Sequence, residues 1–332
     1  MSDGRPTLLA DVGGTNARFA LADGGAAAPL LEDSIRRYAV ADFGSLAEAA
    51  RHYLQATGTH ANQAVFSVAG PVLGDEVRMT NHPWVIGIEA TRTALGLDGL
   101  RVVNDFVAQA MAIRLLKETD VRMLGTPAWR PLARDNGTCA ILGPGTGLGV
   151  GALLVRDGRT LALATEAGHV GFAPTSDEQG AVLRALARRF GRVSNERLVS
   201  GEGLVNLHWA LGEVHGDTDG AAVSLPADVP AGAAAGDPRC QRAIALFCEV
   251  FGAVAGDTAL GFGAWNGVFL SGGVVPHLLD ALLGSTFRTH FEDKGRYHEA
   301  LTRVPVAAVL HPQPGLLGAA AIAGDIARGE AS

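Results

Sequence analysis

The chain has few of the residues that mark several common classes of protein. Its three cysteines, Cys139, Cys240 and Cys248, show no CxxC spacing, so neither a disulfide framework nor a structural zinc site is predicted. Its lysines are Lys117 and Lys294, and the sequence contains no basic run. Together with a net charge of −7, this argues against a broad nucleic-acid-binding surface.

Long uncharged apolar segments are also missing. The sequence contains no run of about 18 apolar residues without a charged one. The N-terminus lacks the basic and apolar regions of a signal peptide. These absences predict a cytoplasmic protein without a membrane span. Apolar residues make up 48% of the 332 positions, which is enough for two domains with substantial cores.

Two glycine-rich turns stand out, each between apolar strands. The first is ADVGGTNAR at 10–18, and the second is GPGTGLGVG at 143–151. Bare backbone can approach an anion and direct several N–H groups at it, so the pair predicts a polyphosphate site, with Asp11 holding a magnesium ion through water. The alternative for the first turn is a type I′ hairpin in which Gly13 and Gly14 supply positive φ. Neither turn fits a P-loop or a Rossmann fingerprint.

Hydrophobic periodicity predicts three strands, a helix, a strand, a helix, a strand and a helix in the first part of the chain, after which the pattern begins again. In the first copy we predict strands at 7–12, 17–22, 35–40, 63–68 and 100–103 and helices at 45–56 and 106–116. In the second copy we predict strands at 138–143, 148–156, 160–165, 267–270 and 304–310 and helices at 179–190, 201–211, 238–262, 276–283 and 315–328. The repeat predicts two similar lobes around a cleft. The Gly-, Ala-, Asp- and Pro-rich stretch 213–237 is predicted to be a surface loop.

Candidate catalytic and sugar-binding groups lie in three polar clusters. Asn104 and Asp105 end an apolar strand, where Asp105 could act as a general base and Asn104 could orient the acceptor. The alternative is that Asp105 only caps the following helix. Glu166 and His169 could bind vicinal hydroxyls, ligate a metal or simply form a turn. Glu196 adds one more carboxylate, which by itself indicates helix capping or a surface salt bridge.

Two further motifs are open to two interpretations each. TNHPW at 80–84, which contains Asn81, could line a sugar-binding site or could only close a loop. LSGGV at 270–274 could place backbone against an adenosine or could be the ordinary start of a helix.

Taken in order, these motifs resemble those of bacterial glucokinases in the form found in proteobacteria, within the actin-like ATPase superfamily. The matching set is ADVGGTNAR, TNHPW, VNDF at 103–106, GPGTGLGVG, EAGHVGF at 166–172, ERLVSGEGLVNL at 196–207 and LSGGV. The resemblance implies an α/β fold, the duplicated ribonuclease-H-like fold of actin-like ATPases. It also implies a glycolytic enzyme, a homodimer with no nucleic-acid or membrane partner, that uses ATP and Mg²⁺ to phosphorylate glucose at the 6-hydroxyl.

The resemblance also implies roles for particular residues. Asp105 would be the catalytic base, and the sugar would be bound by Asn81, Asn104, Asp105, Glu166, His169 and Glu196. ATP would be held by Ala10, Asp11, Val12, Gly13, Gly14, Thr15, Gly143, Gly145, Thr146, Gly147, Gly272 and Gly273. Asp11 would hold Mg²⁺ through water.

The lobes implied by the resemblance are a small one of 1–115 plus 312–332 and a large one of 116–311. The related repressor/open-reading-frame/kinase group has a Cys-rich zinc motif where this chain has Gly171 to Pro174, so no zinc is expected. A kinase for another hexose or for an N-acetylated amino sugar remains an alternative. A sugar-sensing repressor would need a helix-turn-helix, and only nine residues precede Ala10. A chaperone-like or filament-forming ATPase would leave the polar residues of VNDF and EAGH unexplained.

Overall fold

The computed structural model of the protein describes residues 5–79, 84–131, 136–216 and 223–330. The chain divides into two compact units. The first comprises Met1–Lys117, Asp157–Ala164 and His311–Ser332, and the second comprises Glu118–Arg156 and Thr165–Leu310. The implied lobes, 1–115 with 312–332 and 116–311, stay a prediction.

The bounds of the strands and helices are as follows. The strands are β1 (Thr7–Val12), β2 (Asn16–Ala22), β3 (Leu30–Ala39), β4 (Gln63–Val68), β5 (Val72–Leu73), β6 (Glu76–Arg78), β7 (Val85–Gly87), β8 (Gly99–Asn104), β9 (Val121–Met123), β10 (Gly137–Pro144), β11 (Leu148–Arg156), β12 (Arg159–Thr165), β13 (Val268–Leu270) and β14 (Val306–Val309). The α-helices are α1 (Leu46–Thr57), α2 (Ile88–Leu95), α3 (Asp105–Ala112), α4 (Asp177–Phe190), α5 (Gly201–His215), α6 (Asp228–Ala234), α7 (Pro238–Phe262), α8 (Val274–His277), α9 (Leu279–Gly284), α10 (Phe287–Glu292), α11 (His298–Thr302) and α12 (Pro314–Ala327). Short 3-10 helices cover Val40–Asp42, Glu118–Asp120, Ala167–His169, Asn195–Arg197 and Gly295–Tyr297.

The two main sheets repeat one topology. The first has the order β3-β2-β1-β4-β8, in which β1 pairs antiparallel with β2 and parallel with β4. The second has the order β12-β11-β10-β13-β14-β9, in which β10 pairs antiparallel with β11 and parallel with β13. Apart from the added edge strand β9, the second sheet repeats the first. The predicted duplicated α/β fold is therefore confirmed.

Helix α12 belongs to the first unit, where it packs against α3. The packing is tight, because a Cβ on Gly318 would overlap the carbonyl oxygen of Ala108. The Arg114 guanidinium donates to an Asp325 carboxylate oxygen at 2.6 Å, which joins the chain just beyond α3 to the same helix. Because of these two contacts, a movement of α12 should also move α3, the helix that begins at Asp105.

The core of the second unit is built around α7. Phe247 and Phe251 on this helix are fully buried, and Phe251 makes an edge-to-face contact with Phe287. The helix is long and apolar enough to cross a membrane by composition, but 67% of its most apolar window is buried inside the protein. Such burial is what a core helix shows.

The structure corrects several sequence predictions. The stretch 213–237 is not wholly a loop, because α5 continues to His215 and α6 occupies Asp228–Ala234. Asp228 is the first residue of α6, and its carboxylate accepts the Ser224 and Leu225 amides of the preceding turn at 2.9 and 2.7 Å. The single helix predicted at 276–283 is two short helices, α8 and α9.

Other elements were missed or misplaced. The strand predicted at 35–40 begins at Leu30, and most of β3 is exposed and polar, which weakens its alternating signal. The helix predicted without bounds between 68 and 100 is α2. The short sheet β5-β6-β7, the strand β9 and the helices α10 and α11 were not predicted. All of these are too short to give a clear hydrophobic period.

Candidate functional site

The first glycine turn joins β1 to β2. The Gly13 amide donates to the Asn16 carbonyl at 3.0 Å, and neither Gly13 nor Gly14 has a left-handed φ. A type I′ turn needs positive φ at both central residues, so that alternative is wrong. A Cβ on Gly13 would meet only the Asn16 oxygen, at an ordinary 3.8 Å. Neither conformation nor packing requires glycine at position 13, and close approach by a ligand would explain it.

Asp11 lies beside this turn, held between neighbouring strands. Its register partners are Arg18 on β2 and Ser67 on β4. The Ser67 hydroxyl donates to Oδ1 at 3.2 Å, and the Arg18 guanidinium donates to Oδ2 at 3.4 Å. Gly315 at the start of α12 leaves room for the carboxylate, because a Cβ there would overlap it. Burial raises the pKa of Asp11, while Arg18 and Ser67 act to lower it.

The surroundings of Asp11 fit a magnesium ion held through water. Mg²⁺ prefers oxygen ligands and is usually bound by one or two carboxylates together with waters and substrate phosphates. The Asp11 side chain is 21% exposed, so a hydrated ion can reach it. Each carboxylate oxygen accepts one described hydrogen bond and keeps a lone pair for a bound water.

The junction between β8 and α3 carries the candidate base. Asn104 is the N-cap of α3: its Oδ1 accepts the Phe106 amide at 2.9 Å, and its Nδ2 donates to the Gly70 carbonyl at 3.2 Å. Because Asn104 supplies the cap, the alternative in which Asp105 caps the helix is wrong. Asp105 is the half-buried first residue of α3.

The second glycine turn joins β10 to β11. The Gly145 amide donates to the Gly147 carbonyl at 2.8 Å, and Gly143 faces Gly149 across the hairpin. A Cβ on Gly145 would meet nothing within 4 Å, and its φ is not left-handed. As at Gly13, the fold does not require glycine here. This turn therefore also leaves bare backbone available to a ligand.

The predicted sugar-binding residues of the second unit lie close to one another. Glu166 precedes one short 3-10 helix and His169 ends it, while Glu196 lies in another. The Asn195 amide donates to the Val170 carbonyl at 2.9 Å and so ties the two segments together. His169 Nδ1 lies 3.8 Å from Glu196 Oε1, with the imidazole more than half exposed. A carboxylate and an imidazole so placed can hydrogen-bond adjacent hydroxyls.

The segment 271–273 packs against the end of β10. The Ser271 amide donates to the Leu142 carbonyl at 2.7 Å. Gly272 has φ +84°, and a Cβ there would come within 2.6 Å of the Pro144 carbonyl oxygen. Glycine at 272 is thus required by the fold itself. The predicted contact of Gly272 and Gly273 with the adenosine stays a prediction.

The predicted site residues fall into two groups. The first unit contains the turn from Ala10 to Thr15 and the pair Asn104 and Asp105, and the second unit contains the remaining described residues. Asn81 lies outside the described residues. Arg18 was not predicted as a site residue, although hairpin register about the first turn would have placed it opposite Asp11. Ser67 and Gly315 were not predicted either, because the local sequence offers no signal for them.

One cluster of metal-ligand types lies elsewhere in the second unit, formed by His208, Asp237 and Cys240. The Arg239 guanidinium donates to His208 Nε2 at 3.1 Å, and Asp237 caps α7 by accepting the Cys240 amide at 2.8 Å. Burial raises the pKa of the Cys240 thiol to about 11. The Arg239 guanidinium occupies the His208 ring nitrogen and places a fixed positive charge there, and Asp237 serves as a helix cap, so these contacts account for the cluster without a cation.

The repeated sheets with their two glycine hairpin tips define the duplicated fold of the actin-like ATPases. A model of the glucokinase family matches residues 8–326. A glucokinase of Xanthomonas euvesicatoria is 56% identical over 325 residues, which cover 98% of this chain and 96% of that protein. The chain belongs to the glucokinase family.

Solved structures agree with this assignment. A glucokinase from an Antarctic psychrotroph superposes with a TM-score of 0.86 at 34% identity, covering 95% of this chain and 98% of that one. A Balamuthia mandrillaris glucokinase, solved in complex with glucose, has a TM-score of 0.74 at 20% identity and covers 95% and 92% of the two chains. The second likeness shows the fold alone.

Proposed function

We propose that this protein transfers the terminal phosphoryl group of ATP to the 6-hydroxyl of glucose. Membership of the glucokinase family supports the reaction. One contact within this chain supports the reaction most directly. At the end of the second glycine turn, the Leu148 amide donates to the carboxylate of Glu196, a predicted sugar ligand, at 2.9 Å. A phosphate-sized loop and a polyol-binding carboxylate in direct contact suit a donor and an acceptor that react together.

The residues act mainly by positioning and by charge, because phosphoryl transfer needs little covalent help from a protein. Glu166, His169 and Glu196 hydrogen-bond the sugar hydroxyls and hold the acceptor in one orientation. Asp105 accepts the proton of the attacking 6-hydroxyl, and Asn104 keeps the start of α3 in place through its cap.

The backbone amides of the two turns bind the phosphates. No side chain covers the backbone at Gly13 or Gly145, so phosphate oxygens can approach the two turns closely. The amides of Gly13 and Gly145 themselves donate within the turns, so the phosphates would be bound by other N–H groups of the same turns. A magnesium ion held through water by Asp11 would neutralise phosphate charge when bound.

The reaction is tested by following glucose 6-phosphate in a coupled assay with ATP, Mg²⁺ and a panel of glucose, mannose, fructose and N-acetylglucosamine. We expect the highest kcat/KM for glucose. Preference for another member of the panel would favour the alternative acceptor, and ATP hydrolysis without any phosphorylated sugar would refute a sugar kinase.

The role of Asp105 is tested by Asp105→Asn. We expect kcat to fall by about 10²–10⁴-fold, because the amide cannot take a proton, while glucose binding in calorimetry is retained. Asp98→Asn is the matched control, since Asp98 is an exposed carboxylate just before β8. Near-normal turnover in Asp105→Asn would remove this residue from its role.

The remaining expectations from the resemblance belong to the same proposal. They are a homodimer without nucleic-acid or membrane partners, a cytoplasmic location, and activity that needs Mg²⁺ and no zinc. Light scattering after size exclusion tests the dimer. Metal analysis of the active enzyme, followed by EDTA treatment and restoration with Mg²⁺ alone, tests the metal requirement.

A further inference from the structure

The two oxygens of Glu196 face two different parts of the second unit. Oε2 accepts the Leu148 amide at 2.9 Å, at the point where the second glycine turn ends and β11 begins. Oε1 lies 3.8 Å from Nδ1 of His169. The same carboxylate therefore touches the turn assigned to the nucleotide and the group assigned to the sugar.

Other contacts hold the sugar-binding segments on this turn. The Gly201 amide, at the start of α5, donates to the Gly145 carbonyl at 2.8 Å. A Cβ on Gly168 would overlap the Leu148 carbonyl oxygen, so the segment before His169 lies directly against the turn. The turn is thus a support for the sugar-binding residues as well as a phosphate-sized loop.

Gly147 shows a specific requirement. Its φ is not left-handed, so its conformation is open to other residues. A Cβ at this position would overlap Oε2 of Glu196 and lie 3.1 Å from its Cδ. Gly145, two residues earlier in the same turn, has nothing within 4 Å of a Cβ. Glycine at 147 is therefore needed to leave the Glu196 carboxylate in place, and glycine at 145 is not.

We propose that Gly147 and the Leu148 amide are positioning elements for the sugar: they fix the Glu196 carboxylate in the orientation that binds glucose. This inference rests on the proposed function, because it takes Glu196 as a glucose ligand. It gives the nucleotide turn a second role, since a change at Gly147 alters glucose affinity even without nucleotide. If glucose binding changes the affinity of the turn for nucleotide by some factor, linkage requires nucleotide to change the affinity for glucose by the same factor.

The test compares Gly147→Ala with Gly145→Ala by calorimetric titration of glucose without nucleotide. We expect the glucose Kd to rise by about tenfold or more in Gly147→Ala, because a charge-assisted hydrogen bond is misaligned. It should stay within about twofold of wild type in Gly145→Ala, where the added methyl group meets nothing. The overlap at Gly147 involves the end of a flexible side chain, so the fold should persist, which thermal unfolding checks.

A double-mutant cycle with Glu196→Ala separates positioning from a general effect on structure. In the Glu196→Ala background there is no carboxylate to displace, so adding Gly147→Ala should change the glucose Kd by less than about twofold. This background also removes the overlap, so the cycle stays informative if Gly147→Ala alone is unstable.

Three outcomes would overturn the inference. They are a wild-type glucose Kd in Gly147→Ala, an equal loss in both glycine variants, and additive effects in the cycle. If the wild-type protein neither binds nor phosphorylates glucose, the proposed function itself fails and this inference fails with it. Wild-type glucose binding with any of the three outcomes refutes the positioning role alone.

Discussion

The packing of α12 on α3 gives a prediction that links stability to catalysis. Gly318 faces the carbonyl oxygen of Ala108, and a methyl group in its place would overlap that oxygen. The obstructing atom is backbone, so no rotamer change can relieve the overlap. In Gly318→Ala one of the two helices must move.

The expected magnitude combines two opposing effects. Overpacking a tight contact costs about 1–3 kcal/mol, and overlap with rigid backbone belongs at the upper end of that range. Replacing glycine by alanine inside a helix stabilises it by about 1 kcal/mol. We therefore expect a net loss of about 2 kcal/mol in the free energy of unfolding.

The same shift should reach the proposed catalytic base. Asp105 is the first residue of α3, in the turn of helix that precedes Ala108. A displacement of about 1 Å in a catalytic group can cost about 100-fold in rate. We expect kcat to fall by about 10–100-fold in Gly318→Ala, measured in folded protein well below the unfolding transition.

Urea unfolding followed by circular dichroism gives the stability, and the coupled assay gives kcat. Gly324→Ala on the same helix is the matched control. Its Cβ would lie 3.1 Å from the end of the flexible Arg328 side chain, which can move aside. Stability should therefore rise by up to about 1 kcal/mol from the better helix propensity of alanine, and kcat should stay near wild type. Wild-type stability and turnover in Gly318→Ala would refute the close contact between α12 and α3.

Three further predictions follow from other sites. Glu166→Gln should raise the KM for glucose more than the KM for ATP, and an effect confined to ATP would contradict a sugar-binding role. Arg242 lowers the pKa of Glu178, so their interaction stabilises the fold at neutral pH and is lost as the pH falls through the lowered pKa, below the usual 4.5. Glu178→Gln should therefore cost about 1–3 kcal/mol at pH 7 in urea unfolding, with a gap from wild type that closes in acid. Asp11→Asn should raise the Mg²⁺ concentration needed for half-maximal activity by about 10–100-fold at fixed ATP, and an unchanged requirement would exclude Asp11 as the holder of the ion.

Much of the sheet topology could be predicted because its strands are apolar and regularly spaced. The first glycine turn sits between two clear strands, so hairpin register alone pairs Asp11 with Arg18. The start of α1 was predicted from one local signal, and Ser45 does cap it by accepting the Glu48 amide at 3.2 Å. Such features depend on residues that are near neighbours in sequence.

Elements whose stability comes from the surrounding structure escaped prediction. Most of β3 is polar and exposed, and it is a strand because β2 supplies its hydrogen-bonding partner. Helix α6 has the weak helix formers glycine and proline in its sequence, DVPAGAA. It forms where Asp228 caps the preceding turn and Val229 is buried in the core.

The glycines show the same limit most clearly, because sequence cannot say why a glycine is present. Gly272 is required by its left-handed φ, and Gly318 is required by the helix packed against it. Gly147 makes room for the Glu196 side chain, 49 positions further along the chain. At Gly13 and Gly145, neither the backbone conformation nor the packing requires a glycine. Close approach by a ligand would explain those last two. These two glycines therefore favour a phosphate site more strongly than the number of glycines in either motif does.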